Sequence, residues 1–590
     1  MSKKQETPAI EPEESKSAEP IKRALQESNR KDRKAKENPE ETERIEYLHR
    51  FYSYRFDKSG ELVIAPENLS IIEVLRSMGY YRYDQPEGVS EYVRIKDNKI
   101  RLIKNNQEII DAFEDYVREL PTRKIDIPMK WWERYEQEEY LEITGHRLLC
   151  QFYKNIMYYF SSTLPRLRPI NGEKITILHD TKNVKYFFFN NCIVAVFILG
   201  VKVIPYSNMK KEIEKLNSYF NEENGQYIWE STIINRDFQL KSSTGDFEQF
   251  CRYLCGYSSI NERDEAAIEY LKRFTALQSI FGYLLHDNYE ANLKSVLFID
   301  VNKNNTGKPA GGTGKGIIGK ALGLMINRTQ NDCKYVAVGG KGFNPQDERR
   351  YSSGDITTQL VHIEDIAKNF DFTNFFNDVT DGAPFRKMYQ DKTTHRIKTM
   401  LSSNIPIDLS APSCKRRLVV FELDNYFDAN RTPVDVFGRR FFESDWNKED
   451  WLSFDNFMIG CSKEYMTYKD QKDDSGKIIG IKEPPLINYK QQLLNSQLNK
   501  DFIDWFSNRI SESVSGQTTM ILVKPDLLKE FTDRYTEYEH LTLFARTFTK
   551  WCKFYLETME IPSGEKRSTQ DLLIIYPDIK DSKVDFIIRP

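Results

Sequence analysis

Apolar and polar positions in the middle of the chain follow the pattern of a buried parallel sheet covered by helices. Ser295–Val301 is a short apolar run rich in β-branched residues, which favours a buried strand. Lys315–Met325 instead repeats apolar residues at helical spacing. Further buried strands are predicted at Tyr335–Val338, Gln359–Glu364, Arg396–Ser403 and Leu418–Leu423. We therefore predict an α/β core over residues 291–465, with a parallel five-stranded sheet and flanking helices.

The segments before this core differ from one another in composition. Residues 1–44 contain Lys, Glu, Ser and Pro with almost nothing apolar, so a disordered charged tail is expected there. Residues 45–250 combine helix and strand patterns, including a hairpin around Asp97-Asn98, and are predicted to form an α+β domain. Residues 251–290 carry helical patterns and are predicted to form a collar packed on the core.

Residues 466–590 are predicted to form a mostly helical domain. Apolar spacing predicts helices at Lys524–Tyr535 and Leu541–Leu556, and strands at Leu572–Tyr576 and Val584–Ile588. Helices followed by a β-hairpin suit a winged-helix module, and a plain structural cap is the alternative. In a winged helix, the groove-binding helix would carry Arg546, Lys550 and Lys553.

Composition and charge indicate the compartment in which the protein is expected, but they do not identify a binding partner. Lys and Arg number 85 and Asp and Glu 88, so the net charge of −3 neither favours nor excludes nucleic acid, and any DNA contact must come from a local basic stripe. Cys251 and Cys255 stand four apart without a second pair, which favours buried or free thiols in a reducing compartment. The chain has no signal-peptide core and no apolar run of the roughly 18–20 residues that span a bilayer. A cytoplasmic protein without a membrane partner is expected.

A glycine-rich loop joins the first predicted strand of the core to the helix that begins at Lys315. Strand, glycine-rich loop, lysine and helix is the layout of a nucleotide phosphate site, because glycines let several backbone N–H groups face one anion. The lysine would reach the β- and γ-phosphates of ATP. The alternative is an ordinary glycine-rich turn before a core helix. The residues predicted to bind phosphate are Gly311, Gly312, Thr313, Gly314, Lys315 and Gly316.

This loop departs from the GxxxxGK[ST] pattern at both ends. Pro309 stands at the first glycine position, and Gly316 stands where a hydroxyl residue usually ligates Mg²⁺. Thr313 or a water molecule is the expected substitute for that ligand. ATP hydrolysis is therefore expected to be slow or regulated.

Polar residues at strand ends supply the other candidates for ATP hydrolysis. Glu364 is assigned chiefly to the Mg²⁺ shell and Asp365 to orienting or deprotonating water, although the two roles could be exchanged, and charges at a helix N-terminus are the alternative. Asn404 ends the fourth strand, where an amide could bridge the γ-phosphate and the water. Arg416 and Arg417 are predicted on a short loop from which a guanidinium could stabilise a neighbouring subunit's γ-phosphate, unless they form a solvated pair.

Taken in order, these segments resemble a superfamily 3 helicase, the AAA+ branch found in DNA viruses, phages and plasmids. The similarity is to the poxvirus-type and phage primase–helicase proteins, and it covers about 290–460, with the flanks only loosely included. The segments that carry it are PAGGTGKG, QLVHIEDIAKNFDF, DGAPFRKMYQDKTTHRIKTMLSSNIPI and SCKRRLVVFELDNYF.

The resemblance implies a homo-hexameric ring with ATP and Mg²⁺ between subunits, which pulls single-stranded DNA through its pore, usually from 3′ to 5′. It also implies a pore hairpin, here within Gly382–Arg396. Lys392 and His395 are predicted to form the tip of this hairpin, and a solvated basic hairpin is the alternative. The residues predicted to contact DNA are Arg386, Lys387, Lys392 and His395.

No primase site is predicted, because His179-Asp180 is a weak candidate for which a surface turn is favoured. A separate primase and other replication proteins would then be partners. The chain is predicted to be an ATP-dependent DNA helicase of a phage or mobile element, acting during replication. The alternatives are a non-translocating AAA+ DNA-binding scaffold or initiator, and a packaging or defence ATPase. The basic hairpin favours the helicase, and Gly316 favours the scaffold.

Overall fold

The chain forms two compact units, Met1–Ile175 and Thr176–Pro590. The computed structural model describes residues 39–84, 90–152, 156–170, 175–242, 244–257, 265–288, 293–301, 312–326, 335–354, 358–367, 370–386, 393–408, 412–473, 476–514, 520–538, 544–561, 563–565 and 572–575.

The first unit combines short antiparallel strands with helices. Its strands are β1 (Tyr52–Phe56), β2 (Leu62–Pro66), β3 (Tyr80–Asp84), β4 (Ser90–Lys96), β5 (Lys99–Ile103), β6 (Arg123–Asp126) and β7 (Tyr140–Ile143). β1 pairs with β2, β4 pairs with β3 and β5, and β6 pairs with β7. The turn between β4 and β5 places Asp97 and Asn98 at φ angles of 51° and 62°. This left-handed conformation is the one a two-residue hairpin turn requires, so the predicted hairpin is confirmed.

The helices of the first unit pack around an aromatic core. Phe113 lies 5.5 Å from Phe51 and 5.4 Å from Phe160, measured between ring centroids, and both pairs meet edge to face. Phe113 belongs to an amphipathic helix whose buried residues recur at helical spacing. The α-helices of this unit are Pro39–Leu48, Asn68–Ser77, Gln107–Arg118, Gly145–Phe152 and Ile156–Thr163.

The second unit begins with a small sheet whose central strands, β8 and β9, are buried on both faces. Its elements are β8 (Lys185–Phe189), β9 (Cys192–Phe197), β10 (Gly200–Pro205) and, after the short β11 (Ile228–Trp229), β12 (Ile233–Ile234). β9 is antiparallel to both β8 and β10, whereas β12 runs parallel to β8.

Alternate side chains of β8 face two different apolar cores. Phe187 and Phe189 join the core that contains Leu277 and Val296, whereas Phe188 joins a smaller cluster beside the helix Met209–Phe220. Because this sheet shares its core with the following elements, the compact units divide after residue 175 rather than near residue 250, where the sequence pattern suggested a boundary.

A parallel sheet forms the centre of the second unit. The strands in this region are β13 (Ser295–Asp300), β14 (Tyr335–Gly339), β15 (Leu360–Glu364), β16 (Ala383–Phe385), β17 (Thr393–His395), β18 (Lys398–Ser403) and β19 (Leu418–Leu423). The five-stranded sheet has the order β14-β15-β18-β13-β19, and its neighbouring strands run parallel. β16 and β17 form a separate antiparallel hairpin. The predicted α/β core with five parallel strands is thus confirmed.

Helices cover this sheet. Lys315–Met325 has the predicted bounds and directly follows the glycine-rich loop. Glu265–Leu285 and Lys448–Tyr468 are long helices that pack against each other. The other α-helices of this part are Met209–Phe220, Asp246–Leu254, Phe376–Thr380, Pro412–Arg417 and Pro433–Phe437.

Gly319 allows the helix Lys315–Met325 to lie directly on the sheet. A Cβ atom at this position would lie 2.6 Å from Nδ1 of His362 and 2.7 Å from the hydroxyl of Tyr335. Both of these side chains are buried, and they hydrogen-bond each other at 2.7 Å. The glycine is therefore required by close approach, although a helix interior otherwise disfavours it.

Gly319→Ala is expected to lower the free energy of unfolding by about 1–3 kcal/mol, because the added methyl group overpacks a closed interior. Urea denaturation of both proteins would measure this loss. Gly460→Ala is the matched control, since it lies within another helix and a Cβ there would meet no atom within 4 Å. The control should gain up to about 1 kcal/mol from helix propensity. Equal stability of the two variants would contradict the packing argument.

The last part of the chain is a helical bundle with a small sheet. Its helices are Tyr489–Gln497, Lys500–Val514, Lys524–Arg534 and Phe544–Thr558, and its strands are β20 (Met520–Val523), β21 (Ser563–Glu565) and β22 (Leu572–Ile575). β22 lies between β20 and β21 and is antiparallel to both. The predicted strand at Leu572–Tyr576 is confirmed, β20 and β21 were not predicted, and Val584–Ile588 lies outside the described residues.

The prediction of a surface turn at His179-Asp180 is wrong for the aspartate. Asp180 is only 4% exposed, and its carboxylate accepts hydrogen bonds from Lys185 Nζ at 2.9 Å and from the backbone N–H of Asp287 at 2.6 Å. Burial raises the pKa of Asp180, but the charges of Lys185 and His286 and the hydrogen bonds from the backbone of Tyr186 and Asp287 lower it, and the pKa lies below its usual value. The carboxylate is a buried structural ion-pair partner, and His179 is exposed beside it.

The thiols of Cys251 and Cys255 are both free and buried, as their spacing suggested. Over the described ranges, no helix combines the length and the apolar character needed to cross a lipid bilayer.

Candidate nucleotide-binding site

The carboxyl ends of three neighbouring strands bring polar residues to one edge of the central sheet. β13 ends at Asp300, β15 ends at Glu364, and Asn404 directly follows β18. Parallel strands lie about 4.8 Å apart, so the backbones of Asp300 and Glu364, on strands separated only by β18, are about 10 Å apart. The predicted acidic and amide residues therefore share the edge at which the glycine-rich loop ends.

Lys315 is held at this edge by two oxygen atoms. Its ammonium donates to Oδ1 of Asn404 at 2.7 Å and to Oδ2 of Asp300. The hydroxyl of Thr313 donates to the other oxygen of the same aspartate. Thr313 and Lys315 are 1% and 9% exposed, so the contacts lie in an interior where charge interactions are strong.

The described part of the glycine-rich loop contains two glycines with a left-handed backbone. Gly312 and Gly314 have φ angles of 96° and 104°, which L-residues with side chains rarely adopt. Gly314 caps the helix Lys315–Met325, and Gly316 in its first turn is exposed and faces open space. Free N–H groups at a helix N-terminus attract anions. Gly311 lies outside the described residues.

Glu364 and Asp365 extend from the end of β15. The side chain of Glu364 is 50% exposed and lies 3.6 Å from Nδ1 of the buried His362. Asp365 is exposed and has a φ of 51°, and its backbone N–H donates to Oγ of Ser402 at 3.4 Å. This left-handed backbone is unusual for a residue other than glycine and turns the chain sharply at the strand end.

Asp300 is a functional candidate to which the sequence analysis gave no role. Burial raises the pKa of Asp300, Lys315 and Thr313 lower it, and the charge of Asp365 raises it further. The two carboxylates are thus close enough to act on each other. A charged residue near the end of an otherwise apolar run, just before a glycine-rich loop, is the sequence signal that could have identified it.

Glu364 and Asp365 are the carboxylates at this edge that could hold part of a Mg²⁺ shell. Among the described residues, no group of three or more His, Cys, Asp or Glu side chains could hold a metal ion. Mg²⁺ usually binds one or two carboxylates and takes its other ligands from phosphates and water. Glu364 and Asp365 would serve as those carboxylates.

Arg416 and Arg417 end the helix Pro412–Arg417, so the prediction that they lie on a loop is wrong. The guanidinium of Arg417 lies 4.6 Å from the ring centroid of Phe376 and donates to the carbonyl of Ser413 at 3.3 Å. Arg416 is exposed and lines a cavity of about 560 Å³ together with Lys398. Both arginines precede β19 and lie at the amino edge of the sheet, away from Lys315.

A hairpin formed by β16 and β17 is present in the segment for which a pore hairpin was predicted. His395 pairs with Ala383, whereas Phe385 pairs with Thr393 next to the connecting residues. The tip position predicted for His395 is therefore wrong, because the ladder places it at the open end of the hairpin. Arg386 forms an exposed ion pair with Glu348 at 2.5 Å. Lys387 and Lys392 lie outside the described residues.

The helix Phe544–Thr558 presents basic residues on one exposed face. Arg546, Lys550 and Lys553 are exposed, whereas Phe548 and Cys552 of the same helix are buried. The spacing of the three basic residues follows the helical repeat, so they lie on one side.

Comparisons with known proteins do not identify a family. No protein-family model matches the chain, and no curated protein matches it. Two solved structures, both titled as the A form apo structure of the NrS-1 C-terminal region, match with TM-scores of 0.27 and 0.26 and identities of 11% and 10%. Each match covers 67% of this chain and 97% or 96% of the solved chain. Similarity at this level carries no functional conclusion.

Proposed function

We propose that this chain is an ATP-dependent DNA helicase of the AAA+ superfamily 3 type, acting in replication of a phage or mobile element. The observation that carries the proposal is the meeting of Lys315 and Asn404 beneath a left-handed glycine turn, at the sheet edge where Glu364 and Asp365 end β15. A lysine, an amide and two carboxylates around an anion-binding turn are the groups that phosphoryl transfer to water requires.

Each residue has a defined task in this proposal. Lys315 and the amides of the first helical turn bind the β- and γ-phosphates, while Glu364 and Asp365 would hold Mg²⁺ and orient the attacking water. The bond from the γ-phosphorus to the bridging oxygen breaks as the water oxygen bonds to phosphorus, and a carboxylate accepts the water proton. Oδ1 of Asn404 accepts a hydrogen bond from Lys315, which leaves the NH₂ group of Asn404 to donate to the γ-phosphate or the water.

A bound Mg²⁺ would have no hydroxyl ligand from the residue after Lys315, because that residue is Gly316. Thr313 donates its hydroxyl hydrogen to buried Asp300, which leaves the lone pairs of its oxygen for a metal ion. Thr313 or a water molecule would supply the ligand in place of the missing hydroxyl, and hydrolysis would be slow or regulated.

The DNA-contacting part of the proposal rests on the basic residues in and beside the β16–β17 hairpin and on those of the helix Phe544–Thr558. From the β16–β17 hairpin, Arg386 with Lys387 and Lys392 would contact DNA phosphates within the pore of a homo-hexameric ring.

The exposed Arg416, rather than the packed Arg417, would reach the γ-phosphate of an ATP bound to a neighbouring subunit.

The C-terminal part would provide a second DNA contact as a winged helix. The succession of helix, strand, two helices and two strands, with β22 between β20 and β21, supports this assignment. Arg546, Lys550 and Lys553 lie on the exposed face of its third helix, which is the groove-binding helix in such modules. A plain structural cap is the alternative.

Purified protein should hydrolyse ATP faster in the presence of oligo-dT and displace a strand from a 3′-tailed duplex. Negative-stain images with an ATP analogue and oligo-dT should contain rings.

The Asp365→Asn variant should bind ATP but not hydrolyse it, because the substitution keeps the size of the side chain and removes a charge near the expected Mg²⁺. A protein that neither binds nor hydrolyses ATP would refute the proposal.

A second candidate is a non-translocating AAA+ scaffold or initiator that uses nucleotide to set its oligomeric state. Gly316 favours it, because a site without the hydroxyl ligand would hold nucleotide longer than it hydrolyses it. Rings that form with ATP but displace no strand would support this candidate. A packaging or defence ATPase would instead hydrolyse ATP on double-stranded DNA or without DNA.

A further inference from the structure

Asp300 is tied into the sheet more rigidly than the other carboxylates at this edge. It is 4% exposed, and its backbone carbonyl accepts a hydrogen bond from Nε2 of Gln492 at 3.1 Å. The next backbone N–H, that of Val301, donates to the carbonyl of Leu423 at 2.9 Å. Glu364 and Asp365, by contrast, are exposed. Asp300 is therefore held in place by the sheet and can position the side chains that hydrogen-bond to it.

Both oxygens of Asp300 are used by the phosphate-binding segment. Oδ1 accepts from the hydroxyl of Thr313, and Oδ2 accepts from the ammonium of Lys315. One carboxylate thus holds the last turn of the glycine-rich loop and the first residue of the following helix at the same time.

The direction of the remaining lysine donor follows from these contacts. An ammonium group has three N–H donors. Lys315 uses one for Asp300 and one for Asn404, so a single N–H is left for a bound ligand, and its direction is fixed. Charge-assisted hydrogen bonds of this kind are strong and directional.

We propose that Asp300 is the positioning residue of the nucleotide phosphate site, which seats Thr313 and aims the free N–H of Lys315 at the β-phosphate. This inference rests on the proposed nucleotide-binding function. Asp300 acts through Lys315 and does not itself touch phosphate. Removal of its charge should therefore weaken the binding of nucleotides that contact Lys315. The loss of affinity should be larger than that caused by a substitution elsewhere that lowers the stability of the fold by a similar amount.

The test compares Asp300→Asn with a matched variant, Asp455→Asn. Asp455 is also a buried carboxylate, 0% exposed, and accepts from Nε of Arg236 at 2.8 Å. Titration calorimetry with Mg²⁺–ADP should show binding weakened about tenfold or more in Asp300→Asn, the size expected when a charge-assisted hydrogen bond is lost. Asp455→Asn should lower the melting temperature but leave the dissociation constant for ADP unchanged.

A second variant keeps the test informative if Asp300→Asn folds poorly. Thr313→Val removes the hydroxyl that binds Asp300 and should also weaken ADP binding. Because the hydroxyl acts through the carboxylate, the double variant should bind ADP no more weakly than Asp300→Asn alone, which is the non-additivity expected of coupled residues.

Three results would overturn the inference while leaving nucleotide binding intact. One is ADP binding by Asp300→Asn that stays within about twofold of the wild type, and another is full additivity with Thr313→Val. The third is tighter ADP binding, which would mean that the carboxylate competes with phosphate for Lys315. Failure of the wild-type protein to bind ADP or ATP would instead refute the proposed function itself.

Discussion

Lys315→Ala is expected to abolish ATP binding, raising the dissociation constant at least about hundredfold because the charge-assisted hydrogen bond to phosphate and the positive charge beside the triphosphate are lost together. The ammonium is the cationic group that the structure brings to the glycine turn, where it also meets Asn404. Titration calorimetry with Mg²⁺–ATP measures the loss. Strand displacement should be lost in parallel, since the proposed movement on DNA depends on the same site.

Lys320→Ala is the control for this experiment. It removes a lysine from the same helix, but that side chain is 41% exposed and pairs with Glu443 at 2.6 Å, away from the turn. ATP binding by this control should equal that of the wild type. Since Lys315→Ala also leaves Asp300 buried without its charged partner, Lys315→Gln should be measured alongside, because its amide still donates a hydrogen bond. A folded Lys315 variant that binds ATP normally would show that the site is misassigned.

Arg236→Ala is expected to lower the free energy of unfolding by about 3–5 kcal/mol, the cost of leaving a buried charge unpaired. Asp455 is 0% exposed, and Nε of Arg236 lies 2.8 Å from one of its oxygens. The guanidinium also lies 4.8 Å from the ring centroid of Trp451. It joins the segment after β12 to the helix Lys448–Tyr468. Chemical denaturation at neutral pH measures the loss.

The loss caused by Arg236→Ala should depend on pH. Burial raises the pKa of Asp455 above its ordinary value of 3.8, and Arg236 opposes this rise. A raised pKa means that the folded state holds the proton more tightly, so stability from this group falls as pH rises through the folded pKa. Without Arg236 the pKa rises further. The deficit should therefore be largest near neutral pH and shrink toward about pH 4. A deficit that is constant with pH would contradict this account.

Local patterns were sufficient for the elements of the central sheet. The apolar run before the glycine loop, the helical spacing of Lys315–Met325 and the turn residues Asp97-Asn98 each depend on neighbours in sequence. Hydrophobic periodicity and turn-residue preferences depend only on residues close in sequence, so they predict such elements directly. The strand β21, Ser563–Glu565, has no such pattern, because its three residues become a strand only by pairing with β22.

Errors in the predicted positions of polar residues had three different causes. Asp180 looked like part of a turn, but it is buried because Lys185 and the backbone of Asp287 surround it. Arg416 and Arg417 were assigned to a loop because a six-residue helix is too short for a clear repeat. His395 was placed at a tip, whereas the register of β16 and β17 sets it at the base.

The sequence by itself determined the order of strands and helices, the glycine turn before Lys315 and the identity of the polar residues at each strand end, because these depend on local composition. Only the tertiary structure decided which strands are neighbours, and hence that Asp300, Lys315 and Asn404 meet. Strand order in a parallel sheet is set by crossover connections and by the burial of both faces, and neither is written in any one segment.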